Sequence, residues 1–109
     1  MKKIESTEQL NEQLNQFPIT ALYFSGSSCG VCHALRPKVE ALFTEEFPQA
    51  PLLEIATDEQ PELAAQYGVF TLPVLILYID GREGSRFART FSLGEVREAL
   101  ERPYNMIFE

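Results

Sequence analysis

Two short apolar runs constrain this chain more than any other feature. Ile19–Ser25 (ITALYFS) and Val74–Ile79 (VLILYI) are rich in β-branched and aromatic residues and show almost no polar alternation. Runs of this length and type fit strands buried on both faces, since a strand with one wet face would alternate polar and apolar residues. Doubly buried strands need covering layers, and the rest of the chain supplies them. Ser6-Thr7-Glu8-Gln9 reads as a capping box, and Leu10, Leu14 and Phe17 follow in one stripe, which predicts a helix over 7–16 ended by Pro18. From Gly30 to about Phe47, Val31, Leu35, Val39, Leu42 and Phe43 recur at helical spacing, with Pro37 expected to kink the helix. Leu52–Thr57 reads as a second inner strand, and Pro61–Gly68 as a short helix with proline in its first turn and glycine at its end. After the Asp80-Gly81 turn, Arg86–Phe91 is expected to return as a hairpin partner. Ser92-Leu93-Gly94-Glu95 is a second capping box, opening a final helix through about Glu101 that Pro103 stops.

The predicted order is α-β-α-β-α-β-β-α. A strand–helix–strand unit feeding a hairpin and a closing helix implies an α/β fold, with a central mixed sheet of about four to five strands flanked by helices on both faces. At 109 residues the chain is expected to form a single domain over 1–109. A formal charge of −7 argues against nucleic acid and against anionic membrane surfaces as partners. No apolar run approaches the ~18 residues of a spanning helix. The first residues carry a basic pair, Lys2-Lys3, and turn acidic at once, so no secretory signal is expected and the cytoplasm is the expected location.

The only two cysteines are Cys29 and Cys32, too few for a disulfide scaffold. Cys29-Gly30-Val31-Cys32 falls where an inner strand gives way to the long helix. A helix start favours negative charge by about 0.3–1 kcal/mol, and up to ~2 when partly buried. That lowers a thiol pKa toward ambient pH, where a thiolate attacks disulfides best. Cys32, one turn deeper, is near enough to close a disulfide with Cys29. The pair can therefore take a mixed disulfide on Cys29 and release it by attack from Cys32. A CxxC alone is weak evidence; on a strand-to-helix turn in a βαβ setting it is strong. Cys29 to His33 also spells the CxxCH pattern of haem attachment, but no export signal is seen and the flanking residues build a sheet core. Zinc would want four ligands where two cysteines and one histidine are offered. Neither a metal nor a cofactor is expected.

In this setting Cys29-Gly30-Val31-Cys32, with Pro37 five residues on, resembles the thioredoxin family. So do Tyr67-Gly68-Val69-Phe70-Thr71-Leu72-Pro73, the run Val74–Tyr78 and the Asp80-Gly81 turn, in the right order over about residues 5–101. The resemblance implies a thioredoxin-like fold and thiol–disulfide exchange with protein partners, with Cys29 as nucleophile, Cys32 as resolving thiol and a reductase as electron donor. It also implies a cis bond before Pro73, which would face the cysteine pair while Leu72 pairs with substrate backbone. The chain departs from the family where Ser28 replaces the usual tryptophan and Gly30-Val31 the usual Gly-Pro. Tyr23 stands where members hold a buried acid, and Glu54 aligns with its lysine partner. Two readings follow: Tyr23 relays a proton and Glu54 serves as base behind Cys32, or Tyr23 fills core space and Glu54 is a solvated strand-edge charge. His33, at i+4 from Cys29, either lowers the thiol pKa or is a solvated helix position. Arg89-Thr90 stands in a loop that borders the family's active site, where Arg89 would alter which partner fits. The apolar tail Tyr104–Phe108 either folds back on the domain or docks a partner, giving a monomer or a weak homodimer. The function expected is a thiol–disulfide oxidoreductase that reduces protein disulfides; the alternative is a binding or chaperone module, or a redox sensor without turnover.

Overall fold

The computed structural model describes residues 1–108; Glu109, the last residue of the expected domain, lies outside the described residues. In chain order the elements are β1 (Lys2–Lys3), α1 (Thr7–Gln16), β2 (Ile19–Ser25), α2 (Gly30–Glu46), β3 (Leu52–Ala56), α3 (Pro61–Gln66), β4 (Val74–Ile79), β5 (Arg82–Ala88) and α4 (Leu93–Phe108). The second capping box forms, and the first forms with its return bond shifted by one residue, to Glu5 rather than Ser6. Ser6 Oγ accepts from the Gln9 amide while Gln9 Oε1 accepts from the Glu5 amide, and Ser92 and Glu95 satisfy each other's amides reciprocally.

The strands make one five-stranded sheet in the order β1-β3-β2-β4-β5. β1, β3 and β2 run parallel, while β4 is antiparallel to β2 and β5 to β4. β2 is thus central, and every one of its residues is buried. Successive side chains point to opposite faces. Ile19, Ala21 and Tyr23 join Val39, Leu42, Phe43, Val96 and Leu100 under α2 and α4. Leu22 and Phe24 join Leu10, Leu63, Leu53 and Ile76 on the face covered by α1 and α3. The central mixed sheet with helices on both faces is as the sequence predicts.

Three element assignments need correction. β1 is a strand the sequence reading omits, so the order begins with β; two lysines carry no apolar pattern and are strand only by pairing with Leu53 and Glu54. β5 runs over 82–88 rather than 86–91. The two-residue Asp80-Gly81 turn, with φ of 52° and 77°, brings the chain into register at once, Arg82 against Ile79. The last helix does not stop at Pro103 but continues to Phe108. Tertiary packing overrides the missing proline donor there. Tyr104 stacks edge-on against Phe47 at 5.0 Å, lies 4.8 Å from the Phe108 ring, and accepts a hydrogen bond from the Gln49 amide. Tyr104 and Phe108 therefore fold back onto the domain, while Met106 and Ile107 stay exposed.

Candidate active site

The disulfide forms where the order of elements changes from sheet to helix. β2 ends at Ser25, a short loop follows, and α2 opens at Gly30 with Cys29 as its N-cap. Cys29 and Cys32 are joined, with Cα atoms 5.2 Å apart, inside the range a disulfide spans. The two sulfurs are not equivalent. Cys32 is 1% exposed, whereas Cys29 is only half-buried. Cys29 Sγ also accepts from the Cys32 amide at 3.2 Å, so the sulfur already occupies the place where a helix start offers free N–H groups. Gly30 and Val31 form the exposed first turn between them, Val31 being 62% exposed.

Across from this turn the Leu72–Pro73 peptide bond is cis, as the resemblance implies. Pro73 is buried and its carbonyl accepts from the Arg89 amide at 2.8 Å. The Leu72 side chain lies over Gly26, close enough that a Cβ there would meet it at 3.0 Å. Leu72 thereby shares a depression of about 350 Å³ with Cys29, Ser27, Ser28, Thr57 and Asp58. Arg89 itself holds a left-handed backbone, φ 64°, which costs a residue with a Cβ. Arg89→Gly is expected to raise stability by about 0.5–1 kcal/mol, seen as a higher denaturant midpoint at unchanged slope; an unchanged midpoint would mean the backbone strain is already relieved.

Behind the dithiol the sheet presents three polar side chains in the layer under α2. Tyr23 is fully buried and donates to the Cys32 carbonyl at 2.7 Å; burial pushes its phenol up to about 12. Glu54 sits beside it in the β2–β3 register. It is not the solvated edge charge of the second sequence reading, because it is buried and β1 covers the edge of β3. Its carboxylate takes both Nη atoms of Arg36, with Nη2 to Oε1 at 2.8 Å, and the Ser25 hydroxyl at 2.9 Å. The hydrogen bonds from Arg36 outweigh desolvation, and with Ser25 they hold Glu54 below the usual carboxylate range. His33 lies on the exposed side of α2, its Nε2 at 3.1 Å from the Ser27 carbonyl. Among the described residues no group of three or more His, Cys, Asp or Glu is arranged to hold a metal ion.

Sequence reasoning missed Arg36 and Ser25. The signal for Arg36 is its position four residues after Cys32, which puts both on one helix face above the strand that carries Glu54. A carboxylate on an inner strand needs a cation, and that face is where to look for one.

The chain matches the family model described as Thioredoxin over residues 2–102. It is 33% identical to the thioredoxin-like protein YdfQ of Bacillus subtilis over 97% of this chain and 94% of that protein. It is 41% identical to a thioredoxin of Chlamydia trachomatis over 58% of this chain and 61% of that one. Among solved structures, Fasciola hepatica thioredoxin superposes with a TM-score of 0.84 at 29% identity, covering 94% of this chain and 98% of that chain.

Proposed function

Because the chain belongs to the thioredoxin family and is a thiol–disulfide oxidoreductase, we propose that Cys29 is the attacking sulfur and Cys32 the resolving one in the reduction of protein disulfides. The observation that carries this assignment is the unequal exposure of the two cysteines at the start of α2. A partner's sulfur can reach Cys29 and cannot reach Cys32. In the reduced protein the Cys29 thiolate attacks one sulfur of the partner's disulfide, and the partner's other sulfur leaves as a thiolate and takes a proton. The Cys32 thiol then loses its proton and attacks Cys29 Sγ. The mixed disulfide breaks, the Cys29–Cys32 bond forms, and the partner departs with both sulfurs reduced. A reductase supplies the two electrons that reopen the bond, so that the protein carries electrons from that donor to protein disulfides. This direction suits a reducing compartment such as the cytoplasm. No described helix is long and apolar enough to cross a membrane.

The remaining residues support the exchange. Leu72, beside the buried Pro73, is positioned to pair with partner backbone next to Cys29. Gly30 keeps the first turn of α2 free of side-chain bulk, and Val31 adds a free amide to the helix start, where anionic sulfur is favoured. Tyr23 anchors the Cys32 carbonyl. Glu54, bonded to Arg36, fixes α2 over the sheet, and His33 ties the helix to the Ser27 loop. Residues 1–109 act as one thioredoxin-like domain. With Tyr104 turned inward we read it as a monomer; the exposed Met106 and Ile107 are what favour a weak homodimer.

Cys32→Ser tests the assignment. Mixed with a disulfide-bonded protein substrate, this variant is expected to accumulate a covalent adduct through Cys29 that mass spectrometry detects and dithiothreitol releases. Adduct formation by Cys29→Ser instead would reverse the roles. A module that only binds would hold its partner equally well with both cysteines replaced.

A further inference from the structure

The depression beside Cys29 is chemically lopsided. Leu72 gives it an apolar wall, while Ser27, Ser28, Thr57 and Asp58 give it hydroxyl groups and one carboxylate. Ser27 Oγ donates to Asp58 Oδ2 and fixes that carboxylate beside the loop that carries the reactive sulfur. The carboxylate still has acceptor capacity on its exposed side. The cations nearby are already taken. Lys3, which shares the adjoining cleft with Asp58, is bonded to Glu59, and Arg36 to Glu54. The His33 ring contacts the Ser27 carbonyl. The Ser27 hydrogen bond also holds Asp58 below its usual range, so it is ionised at neutral pH.

We propose that Asp58 makes the exchange selective for disulfides that carry a cationic group, an ammonium or guanidinium, within a few bonds of the attacked sulfur. The inference rests on the reading of Cys29 as the attacking sulfur. It adds no step to the exchange. The cation sits against Asp58 while the partner's sulfur meets Cys29, so the local charge favours the encounter and the mixed disulfide together. The net charge of −7 acts in the same sense at longer range, and the two contributions must be separated.

Cystamine, with an ammonium two methylenes from each sulfur, and 3,3′-dithiodipropionate, with carboxylates at similar reach, read their sum, and a pair of variants separates them. The rate of each with the reduced protein is divided by its rate with dithiothreitol to remove intrinsic reactivity. The normalised ratio is expected to favour cystamine about tenfold at low salt, fading as salt screens the pair. Asp58→Asn is expected to lower that ratio about threefold, the size of one exposed charge contact. Glu45→Gln makes the same charge change at the far end of α2, about 20 Å along the helix, and is expected to leave the ratio alone. Equal effects of Asp58→Asn and Glu45→Gln, or a normalised ratio near one, would overturn the proposal. Failure of the reduced protein to react with either disulfide would overturn the attacking role of Cys29 as well, a different result from loss of selectivity.

Discussion

Cys29→Ser is expected to bring reduction of a protein disulfide down to the uncatalysed rate. A serine hydroxyl stays protonated at neutral pH and cannot form the mixed disulfide on which turnover depends. The fold should survive the change, which makes the loss interpretable. Cys29 is the N-cap of α2 and its sulfur accepts from the Cys32 amide; serine is among the best residues for that role. Against the reduced wild type, the variant's denaturant midpoint is expected to be unchanged. Against the oxidised wild type it should lose about 2 kcal/mol, the chain-entropy value for a loop this short. Turnover retained by Cys29→Ser would transfer the attacking role to Cys32. A midpoint well below that of the reduced protein would mean that the sulfur has a packing role a hydroxyl cannot fill.

The largest expected effect on stability belongs to Glu54. Glu54→Ala leaves the Arg36 guanidinium without its bidentate partner and the Ser25 hydroxyl without its acceptor, and it opens space in the layer under α2. The expected cost is about 2–3 kcal/mol. That is below the range for a fully enclosed pair because the Arg36 side chain is 32% exposed and regains water, while that of Glu54 is only 11% exposed. The pH dependence has a definite sign. Arg36 lowers the Glu54 pKa in the folded state, so the contribution is fully present above the unfolded value of about 4.3. It is lost as pH falls through the lower folded value. Urea midpoints of wild type and Glu54→Ala should therefore differ at pH 7 and converge toward pH 3. A difference that persists undiminished in acid would assign the cost to the cavity rather than to the charge. Arg36→Met with Glu54→Leu is expected to recover most of the loss, since two well-packed apolar groups replace the pair without desolvating a charge.

The elements legible in the sequence are those whose stability is local or whose burial is complete. The two apolar runs end in the structure at the residues predicted, Ile19–Ser25 and Val74–Ile79, because both faces of each are covered and nothing polar blurs their limits. The capping boxes mark the starts of α1 and α4 for the same local reason. What the sequence hid depends on partners far along the chain. Lys2-Lys3 is strand only because β3 is there to pair with. β5, Arg82–Ala88, is an edge strand of mostly charged and small residues, so its apolar pattern appears late and drew the prediction toward 86–91. Pro103 reads as a stop until the Tyr104 hydroxyl is seen to take the Gln49 amide and its ring to pack on Phe47. At the site the same division holds. Cys29 and Cys32 are visible from spacing and Pro73 from the resemblance, whereas Glu54 on its own could not disclose that Arg36 neutralises it from another element.

The charged outer strands have a consequence for how this protein meets other chains. A sheet edge offers unpaired amides and carbonyls to any extended polypeptide that comes near it. Here one edge ends in Lys2-Lys3 and the other in Arg82, Glu83 and Arg86, all exposed. Adding a strand at either edge would desolvate these side chains. Indiscriminate strand exchange is thereby discouraged at both ends of the sheet. Visitors are left with the end where α2 begins, the one place where contact leads to chemistry.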